Sequence, residues 1–504
     1  MTIPELLKCI RAKRITGPLS REIRGIAYDS RLVGEGFLFV AVRGFTRDGH
    51  DYIKDALSRG AAAVVGERAV ETTDTPDPTA PDRTAYIEVS DSREALALIS
   101  AAFYGHPSER LSLAGITGTN GKTTTSYITR SIINAGGRSA GLLGSVRYIT
   151  GDRTMPASNT TPESLDMQRY LSEMVNNKME YAVIEVSSHA LALRRVEGCA
   201  FDVAAFTNFS RDHLDFHGGM QEYFRAKTRL FDYLRESGSA VLNHDDPMVG
   251  GIAGKLRCNV VTCGLRDGAM IKAEDIKSHG IPAAGASPLS FDVRTPRSRF
   301  RVHSGLVGIF NVYNILMSAG IAYALGFSDD AIRKGIQEAQ PVEGRFENID
   351  AGQGFLCIVD YAHTEDALRN VLQEARAVTR GRLITVFGCG GDRDRTKRPL
   401  MGAVASALSD LAVITSDNPR SEDPLDIIRD IVSGIKRDNY IVRPDRENAI
   451  REAVSVAKEG DTVLVAGKGH EDYQEIRGAR HYFSDREVLR KAIKHGGSDG
   501  KGYS

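Results

Sequence analysis

Hydrophobic residues along the chain fall in short continuous runs, each followed by polar or glycine-rich residues. In the first hundred residues, three such runs at 37–42, 61–66 and 85–90 are typical of buried strands. The opening segment MTIPELLKCIRAKR lacks the apolar core of a signal peptide and predicts a short amphipathic helix. A stretch rich in Pro, Thr and Asp, residues 71–84, predicts a surface loop. We therefore predict a small N-terminal α/β domain that ends near Arg110.

From Leu111 onward, apolar strands alternate with helices. The strand LSLAGI leads through a glycine-rich turn into a helix over residues 124–137, which two glycines close. Further strand-like runs occupy residues 181–186, 202–209 and 239–246. This alternation predicts a mostly parallel sheet that is covered on both faces. A helix over residues 311–327 precedes the predicted end of this domain near Pro341.

A third alternation contains four apolar strands that each end in polar, glycine-rich residues: FLCIVDYAH, RLITVFGCGG, LAVITSDNPR and TVLVAGKGH. In open α/β sheets, ligands bind at these carboxyl ends. The glycine-rich tail, residues 495–504, is predicted to be mobile. The predicted fold class is α/β with three domains, residues 1–110, 111–341 and 342–504, the last of them Rossmann-like.

Composition narrows the possible functions. A chain of 504 residues is too long for one core. Lys plus Arg equals Asp plus Glu, 65 each, so there is no overall basic field to favour nucleic acid as the main partner. No apolar run approaches the roughly 18 residues of a membrane span. The six cysteines form no CxxC pair, which disfavours zinc and redox sites and favours free thiols in a reducing, cytoplasmic environment.

The segment GITGTNGKTTT, residues 115–125, predicts a phosphate cradle, although its first glycine is one position early for the standard P-loop pattern. Gly118 and Gly121 allow backbone N–H groups to point at phosphate oxygens, and the following helix adds positive potential. Lys122 can reach the terminal phosphates, and Thr123 can bind Mg²⁺. Strand, glycines, Lys-Thr and helix coincide, so we interpret this segment as a phosphate-binding site and not as a glycine-rich turn without a ligand.

A phosphate site also needs an acid for its metal ion. Glu185 ends the apolar strand YAVIEV, and His213 and His217 follow in another strand-end loop. Taken alone, Glu185 is equally well a surface residue, and a lone histidine is more often structural than a ligand. Lys227 in EYFRAKTRLF is, on spacing alone, best interpreted as a solvated helix residue.

Ten ordered segments resemble one known family. They are GITGTNGKTT, EVSSHAL, TNFSRDHLDFH, YFRAKTRLF, GIFNVYN, EGRFE, DYAHTEDAL, FGCGGDRDRTKRP, SDNPR and GKGHE. Together they resemble the Mur ligases, and within that family the branch that makes UDP-N-acetylmuramoyl-tripeptide. The resemblance spans all three predicted domains, and it includes the early glycine of the cradle.

The resemblance implies an ATP-dependent amide ligase of cytoplasmic peptidoglycan synthesis. ATP phosphorylates a carboxylate of UDP-N-acetylmuramoyl-L-alanyl-D-glutamate, and an amine attacks the acyl phosphate. A carboxylate is a poor acyl electrophile, so phosphorylation supplies the leaving group, and the developing charge calls for Mg²⁺ and cationic donors. Only small-molecule partners are implied, with no nucleic acid and no membrane insertion.

The resemblance also assigns roles by position. The implied catalytic residues are Lys122, His213 and Lys227. The implied ATP contacts are Thr117, Gly118, Thr119, Asn120, Gly121, Lys122, Thr123, Asn311, Asn314, Arg345 and Asp360. The implied metal residues are Thr123, Glu185, His213 and Lys227, the lysine as a carbamate that would supply an anionic oxygen. The implied contacts to the UDP substrate are Ser30, Phe45, Thr46, Arg47, Asn159, Thr160, Thr161, Ser187 and Arg195.

DNPR resembles the version of this motif in ligases that add meso-diaminopimelate, because lysine-adding relatives usually lack its arginine. The implied amino-acid contacts are Arg393, Asp417, Asn418, Pro419, Arg420, Gly467 and Glu471. Diaminopimelate carries a second carboxylate, which Arg420 can bind through two parallel N–H bonds. Two departures from the family are Glu365, where a proline is usual, and Leu193, where relatives are often polar.

Other readings remain open at this stage. A lysine-adding ligase and a ligase like folylpolyglutamate synthetase share the cradle and the acyl-phosphate chemistry. A P-loop ATPase switch would leave DNPR and GKGHE without a role. A non-catalytic nucleotide-binding scaffold would leave the full set of charged catalytic candidates without one.

Overall fold

The computed structural model describes residues 1–45, 47–68, 84–278 and 289–496. Thr46 and nearly all of the loop predicted at residues 71–84 lie outside these ranges, as do residues 497–504 of the predicted tail. The last helix continues to Gly496, so the first two residues of that tail are helical rather than mobile.

The N-terminal region forms an α/β layer as predicted. Its helices are α1 (Ile3–Leu7), α2 (Ile53–Ser58) and α3 (Ser92–Phe103), and its strands are β1 (Ala12–Thr16), β2 (Gly25–Ala27), β3 (Phe37–Val40), β4 (Ala63–Gly66) and β5 (Ala85–Val89). The sheet order is β1-β5-β4-β3-β2, parallel from β2 to β5 and antiparallel at β1.

The amphipathic helix predicted over the first fourteen residues is wrong beyond Leu7. A capping box between Thr2 and Glu5 starts α1. The chain then leaves the helix, and β1 pairs with β5. The ladder with β5 therefore overrides the local helical pattern of this segment.

The central region carries the following elements. The strands are β6 (Ser112–Thr117), β7 (Ala140–Leu143), β8 (Arg147–Ile149), β9 (Thr154–Pro156), β10 (Tyr181–Glu185), β11 (Phe201–Phe206), β12 (Leu234–Asn243), β13 (Asn259–Gly264), β14 (Ile271–Ser278), β15 (Leu289–Arg294) and β16 (Arg299–Ser304). The helices are α4 (Lys122–Ala135), α5 (Ser164–Asn176), α6 (Ser188–Ala192), α7 (Leu214–His217), α8 (Met220–Thr228), α9 (Pro247–Gly250), α10 (Ile309–Ala324) and α11 (Asp329–Glu338).

The chain divides into two compact units, and β11 and β12 contribute residues to both. The first unit comprises Met1–Thr117, Arg138–Ala204 and Ala226–Ser239, and the second comprises Gly118–Gly137, Ala205–Arg225 and Ala240–Ser504. In the first unit the central strands have the order β12-β11-β6-β10-β7-β8-β9, with β6, β10 and β7 parallel. In the second unit the order is β16-β15-β14-β13-β12-β11, and β14 to β16 are antiparallel.

The C-terminal region is an α/β layer with a parallel sheet. Its strands are β17 (Glu347–Asn348), β18 (Leu356–Asp360), β19 (Leu383–Phe387), β20 (Leu411–Ile414), β21 (Tyr440–Val442), β22 (Thr462–Ala466), β23 (Tyr473–Ile476) and β24 (Ala479–Tyr482), and its helices are α12 (Glu365–Val378), α13 (Lys397–Leu408), α14 (Pro424–Val432), α15 (Arg446–Val456) and α16 (Asp485–Gly496). The sheet order is β17-β18-β22-β19-β20-β21, with only β17 antiparallel among these described strands.

Alternate residues of these strands face two separate hydrophobic cores. Ile358 and Leu464 pack with α12, α13 and α14 on one face, whereas Val359 and Val465 pack with α15 and α16 on the other. Strands that are buried on both faces read as continuous apolar runs, which is the pattern in the sequence. The α/β fold class is thereby confirmed.

The carboxyl ends of β20 and β22 are held by a fully buried ion pair. Arg446 and Asp485 are joined by two hydrogen bonds of 2.8 Å, Nε to Oδ1 and Nη2 to Oδ2. Arg446 also donates to the carbonyl oxygens of Ser416, the first residue of SDNPR, and of Ala466, the residue before GKGHE. The pair therefore fixes the two strand ends from which both loops leave the sheet.

Asp485→Ala is expected to lower the free energy of unfolding by about 3–5 kcal/mol, because it leaves a buried guanidinium without its carboxylate. Chemical denaturation of the purified protein measures this, with Asp426→Ala on the surface of α14 as the matched control. A loss below about 1 kcal/mol for Asp485→Ala, the range of an exposed pair, would contradict this account of the pair.

Candidate functional site

The predicted phosphate cradle lies between β6 and α4. Gly118 and Gly121 have φ values of 145° and 83°, a region that residues with a side chain rarely adopt. A Cβ atom at Gly118 would collide with Thr207 Oγ1, and one at Gly121 would collide with Asn314 Oδ1. Both glycines are therefore required by conformation and by space, and the loop ends at the N-terminus of a fourteen-residue helix.

The loop that follows β11 holds the cradle in shape. Asn208 Oδ1 accepts a 2.8 Å bond from the backbone N–H of Asn120, and Thr207 Oγ1 donates to the Asn120 carbonyl oxygen at 2.6 Å. Asp366, in the first turn of α12, accepts from Asn120 Nδ2 at 2.8 Å and from Ser210 Oγ at 3.0 Å. Polar side chains thus tie the cradle both to the β11 loop and to the C-terminal layer.

Lys122 lies within the cradle itself. Its Nζ donates to the carbonyl oxygens of Gly118 and Thr119, both at 2.9 Å, so the ammonium is held where the loop curls. Thr123 follows it, and Thr123 Oγ1 accepts a 3.1 Å bond from Arg345 Nη2. The Arg345 guanidinium stacks on the ring of Tyr361 at 4.4 Å. Two predicted ATP residues, Thr123 and Arg345, are therefore in direct contact.

Three further predicted ATP residues of this unit bond groups of the protein itself. Asn311 and Asn314 are 3% and 6% exposed and bond each other, Nδ2 of Asn314 to Oδ1 of Asn311, at 2.9 Å. Asp360 accepts from the backbone N–H groups of Phe346 and Ala362 at 2.7 and 2.8 Å. Burial raises the pKa of the Asp360 carboxyl above its ordinary value. Through its bond with Phe346, Asp360 holds the loop that carries Arg345.

A cavity of about 170 Å³ lies at the carboxyl ends of the C-terminal strands. Five of the predicted amino-acid contacts that carry a side chain line it, together with residues from the β11 loop. The full lining is Asp212, His213, Asp215, Tyr361, His363, Gly388, Gly390, Arg393, Asp394, Lys397, Asp417, Asn418, Arg420, Gly467 and Glu471. A larger cavity of about 430 Å³, lined by Arg297, Ser298, Phe300, Gly326, Ser328, Asp329 and Asp330, contains none of the predicted site residues.

The charged side chains that line the cavity are two arginines, one lysine and five carboxylates, besides the two histidines. Arg393 and Arg420 come from the loops after β19 and β20, and Asp417 and Glu471 come from the loops after β20 and β22. Burial opposes ionisation of Asp417, but the charges of Lys468 and Arg446 hold its pKa below the ordinary value. Burial raises the pKa of Glu471, and Lys468 opposes that shift. The charges suit a ligand that carries both carboxylate and ammonium groups.

Two histidines flank a buried carboxylate on one wall of the same cavity. His213 Nε2 lies 3.1 Å from Asp212 Oδ2, and His363 Nε2 lies 3.8 Å from the same oxygen. Burial would raise the pKa of Asp212, but the charges of His213, His363 and Lys397 bring it to about 2. Asp212 also accepts from the backbone N–H of His213 at 2.9 Å, and His213 has a left-handed φ of 53°. The carboxylate therefore sets the orientation of the predicted metal residue His213.

In the first unit, the end of β10 organises a second group of predicted residues. Glu185 is fully buried, and its carboxylate accepts from the Ser145 backbone N–H at 2.9 Å and from Ser145 Oγ at 3.1 Å. Thr161 Oγ1 donates to the Glu185 carbonyl oxygen at 2.8 Å and accepts from the Ser187 N–H at 3.0 Å. Arg195 Nη1 donates to the Thr161 carbonyl oxygen at 3.0 Å.

The same group includes Thr160, whose Oγ1 accepts from Ser145 Oγ at 3.0 Å. The structure thus brings together Thr160, Thr161, Glu185, Ser187 and Arg195 around one strand end. Asn159 is exposed, and its backbone is fixed by hydrogen bonds with the hydroxyl of Tyr148. Arg195 Nε lies 3.3 Å from Glu163 Oε2, which orients its guanidinium.

The predicted UDP contacts of the N-terminal layer differ in exposure. Ser30 is 6% exposed, begins a short 3₁₀ turn and forms a hydrogen bond with Asp55. Phe45 is 74% exposed, and Arg47 is exposed as well. Aromatic rings can stack on nucleotide bases, and a contact of Phe45 with the UDP substrate stays a prediction. The position of Thr46, which lies outside the described residues, stays a prediction.

Family models match most of the chain. The Mur ligase middle domain matches residues 116–322, the Mur ligase glutamate ligase domain matches residues 344–469, and the Mur ligase family catalytic domain matches residues 22–104. The chain belongs to the Mur ligase family. The resemblance inferred from its ten ordered segments is thereby confirmed.

Relatives cover nearly the full length of this Mur ligase. It is 47% identical to a UDP-N-acetylmuramoyl-L-alanyl-D-glutamate–2,6-diaminopimelate ligase of Geobacillus kaustophilus, over 94% of this chain and 96% of that one. It is 45% identical to a ligase of the same name from Solibacter usitatus, over 98% of each chain. A solved structure of a ligase with that name aligns at a TM-score of 0.64 and 31% identity, covering 98% of this chain and 99% of the other.

The family resemblance implies Thr123, Glu185 and His213 as residues that would hold Mg²⁺, and this ligand set stays a prediction. Hydroxyl and carboxylate oxygens are ligands that a hard cation prefers. Among the described residues there is no group of three or more His, Cys, Asp or Glu side chains that could hold a metal. Mg²⁺ usually takes one or two protein carboxylates together with substrate phosphates and water.

Lys227, predicted from the sequence alone to be a solvated helix residue, is 2% exposed on α8. The solvated interpretation is therefore wrong. Burial of a lysine ammonium carries a desolvation cost that its contacts have to offset. Its burial is compatible with the modified lysine that the family resemblance implies.

Several residues of this site were missed, although the motifs that contain them stood out. Lys468 of GKGHE is fully buried and bonds Asn418 Oδ1 at 3.1 Å and Glu471 Oε2 at 3.2 Å. Asp212 precedes His213 in SRDH, and His363 closes DYAH. A charged residue between two glycines at a strand end was the available signal for Lys468. Pro419, which was predicted, is not part of the cavity lining.

Glu365 and Leu193, the two departures from the family, both lie at helix ends. Glu365 is the first residue of α12, a position where proline is also well accommodated. Glu365 forms a 2.9 Å ion pair with Arg369 one turn later. Leu193 caps the C-terminus of α6 and is half-buried. Neither residue lines the cavity of the second unit.

Among the described residues, no helix is long and apolar enough to span a bilayer. The six cysteines all lie in the described ranges, are unpaired with one another, and are buried at four positions.

Proposed function

We propose that this Mur ligase joins meso-2,6-diaminopimelate to UDP-N-acetylmuramoyl-L-alanyl-D-glutamate, with hydrolysis of ATP to ADP and phosphate, in peptidoglycan precursor synthesis. The names of its full-length relatives support this assignment. The three domain boundaries predicted from the sequence and the cytoplasmic location are part of the proposal.

One observation carries the choice of amino acid. Arg393 and Arg420 line the same cavity as Asp417 and Glu471. Diaminopimelate has two carboxylates and two amines, so it can pair with both kinds of charge. Lysine has no distal carboxylate and would leave an arginine of this cavity without a ligand carboxylate to bind. Sites built to bind a polar group reject analogues that lack it by roughly 10⁴-fold.

The residues of the second unit would activate the carboxylate. The glycine cradle and the N-terminus of α4 would bind the phosphates of ATP, and Lys122 would stabilise the charge that develops on the transferred phosphoryl group. Arg345 and the two asparagines, Asn311 and Asn314, would orient the nucleotide. Mg²⁺, when bound, would neutralise phosphate charge.

The transfer gives ADP and an acyl phosphate on the glutamyl residue of the UDP substrate. An amine of diaminopimelate, in its neutral form, then attacks the acyl carbon, and inorganic phosphate leaves. Glu471 and Asp417 would hold the amino acid through its other ammonium group, while Arg393 and Arg420 would bind a carboxylate.

The residues of the first unit would bind the UDP substrate. Phe45 and Arg47 are exposed and would contact the nucleotide. Ser30, which begins a short 3₁₀ turn earlier in the sequence, would contact it as well. The group at the end of β10, with Thr160, Thr161, Ser187 and Arg195, would bind the muramoyl dipeptide. Asn159 and Thr46 are included on the family resemblance alone.

The test is phosphate release from ATP by the purified enzyme, with each substrate left out in turn. Release that requires both the UDP-muramoyl dipeptide and an amino acid is expected. Release with ATP alone would favour an ATPase, and release with a folate and glutamate would favour a ligase like folylpolyglutamate synthetase. Either of the last two outcomes would overturn the proposal.

Arg420→Ala is expected to raise the KM for diaminopimelate about 10- to 100-fold, because it removes a charged hydrogen-bond donor to a carboxylate. The KM for ATP should change by less than about threefold. Steady-state kinetics measure both, and Arg429→Ala, a 77% exposed arginine on α14, is the matched control. An equal rise in both KM values would contradict this role for Arg420.

A further inference from the structure

Two loops that carry the amino-acid-binding arginines are joined to each other along their length. We call them the paired loops, residues 388–394 after β19 and residues 417–423 after β20. Gly391 N–H donates to the Asn418 carbonyl oxygen at 2.9 Å, and Arg420 Nη1 donates to the Gly391 carbonyl oxygen at 2.7 Å. A Cβ at Gly391 would collide with the Pro419 carbonyl oxygen, so the two backbones touch.

The far ends of the paired loops are fastened by carboxylates. Asp392 accepts from both the backbone N–H and the hydroxyl of Ser421, at 3.2 and 2.6 Å. In return, the backbone N–H of Asp392 donates to Glu422 Oε1 at 2.6 Å. Each loop therefore supplies one carboxylate that bonds the backbone of the other.

Glu422 is held in turn by a fully buried arginine. Arg398, at the start of α13, donates Nη2 to Glu422 Oε1 at 2.7 Å and Nη1 to Glu422 Oε2 at 2.9 Å. Its Nη2 also donates to the Gly390 carbonyl oxygen at 3.3 Å, and its Nη1 reaches Asp430 at 2.9 Å. A bidentate, buried guanidinium–carboxylate pair is geometrically specific, so it fixes where Glu422 and both loops stand.

Arg420 needs such support because its backbone is strained. Its φ is 52°, in the left-handed region that non-glycine residues seldom adopt. Such a residue persists only where its surroundings impose it, at a cost of order 1–3 kcal/mol. Bonds to Glu475 and Arg477 hold the backbone on one side, and the paired loops hold it on the other.

We infer that Glu422, fixed by Arg398, is a positioning residue that sets the distance between Arg393 and Arg420 and thereby the selection of a dicarboxylic amino acid. This inference rests on the proposed function. Glu422 does not line the cavity, so it acts through the two arginines and not on the ligand. Its loss should weaken binding of the amino acid and leave the ATP cradle unaffected.

The test compares Glu422→Gln with Asp430→Asn in the full-length enzyme. Each variant removes one negative charge that is bonded to Arg398. Unlike Glu422, however, Asp430 makes no described bond to the paired loops. Glu422→Gln is expected to raise the KM for meso-diaminopimelate about tenfold, the usual effect of losing a charged hydrogen bond. Its kcat at saturation and its KM for ATP should stay within about twofold, and Asp430→Asn should leave all three within about twofold.

A second readout is the ratio of kcat/KM for diaminopimelate to that for lysine, which should fall in Glu422→Gln and not in Asp430→Asn. Ser421→Ala, at an exposed position, keeps the inference testable if Glu422→Gln folds poorly, and it should raise the same KM about threefold. Equal KM values for diaminopimelate in the Glu422 and Asp430 variants would overturn this inference but not the proposed function. A wild-type enzyme with no activity on diaminopimelate would overturn the proposed function and the inference with it.

Discussion

Lys122→Ala is expected to reduce ligation about 100-fold or more while leaving the protein folded. Lys122 is the cation of the cradle, and loss of one preorganised electrostatic donor to a developing charge commonly costs this much in rate. Its ammonium bonds two carbonyl oxygens of the loop, which holds it within the predicted cradle. The loss should appear in kcat, because the donor acts most strongly in the transition state.

The measurement is ATP-dependent product formation at saturating substrates, with circular dichroism to check the fold. Lys334→Ala, at an exposed position of α11 whose described ion pair is with Glu338, is the control and should retain full activity. Turnover within threefold of the wild type in a folded Lys122→Ala protein would rule out this assignment of the ATP site.

Lys227→Ala is expected to be nearly inactive, with partial recovery when a short carboxylic acid such as acetate is added. As a hypothesis, Lys227 carries a carbamate, which would give Mg²⁺ an anionic oxygen that an ammonium cannot provide. Its side chain is 2% exposed, which sets it apart from an ordinary surface lysine. Alanine leaves a small cavity that the added acid can enter.

The assay is again product formation, with and without acetate, and the control is Lys255→Ala at an exposed position. Substantial activity of Lys227→Ala without any added acid would exclude the carbamate. Acetate that stimulates the wild type and the control equally would show that recovery is not specific to position 227.

Much of the fold could be predicted from the sequence because strands buried on both faces are continuously apolar. The runs that became β10, β18, β19 and β22 were recognisable for that reason. The antiparallel strands β14 to β16 were not, because charged and apolar residues alternate along them and break every apolar run. In β14, for example, buried Ile271 and Ala273 are interrupted by Lys272 and Glu274.

The motifs of the site could be predicted from the sequence, but which residues lie next to one another in the fold could not. Arg393, Arg420 and Glu471 are spread over some eighty residues of sequence, and they share a cavity because β22 inserts between β18 and β19. Strand order is a long-range property that local patterns do not contain. Lys468 and Asp212 were missed for the same reason. Lys468 bonds Asn418 and Asp212 faces His363, and both of these partners are far away in the sequence.

The sequence also could not show that Arg420 is strained and braced. A left-handed φ at an arginine has no signal in composition, because the residue type itself disfavours it. The Arg420 backbone is held by bonds with Glu475 and Arg477 and by the loop after β19, which come together only in the folded domain. By the inference above, selectivity for the amino acid would depend on Glu422, a residue that no ligand-contact motif would include.

The central claim is most directly tested by a competition between two amino acids. The enzyme is given ATP, the UDP-muramoyl dipeptide, and equal concentrations of meso-diaminopimelate and L-lysine. The UDP products are then separated and quantified by mass spectrometry. The predicted result is a single tripeptide product that contains diaminopimelate, with the lysine product lower by roughly 10⁴-fold. Equal amounts of the two products, or a lysine product alone, would contradict the assignment.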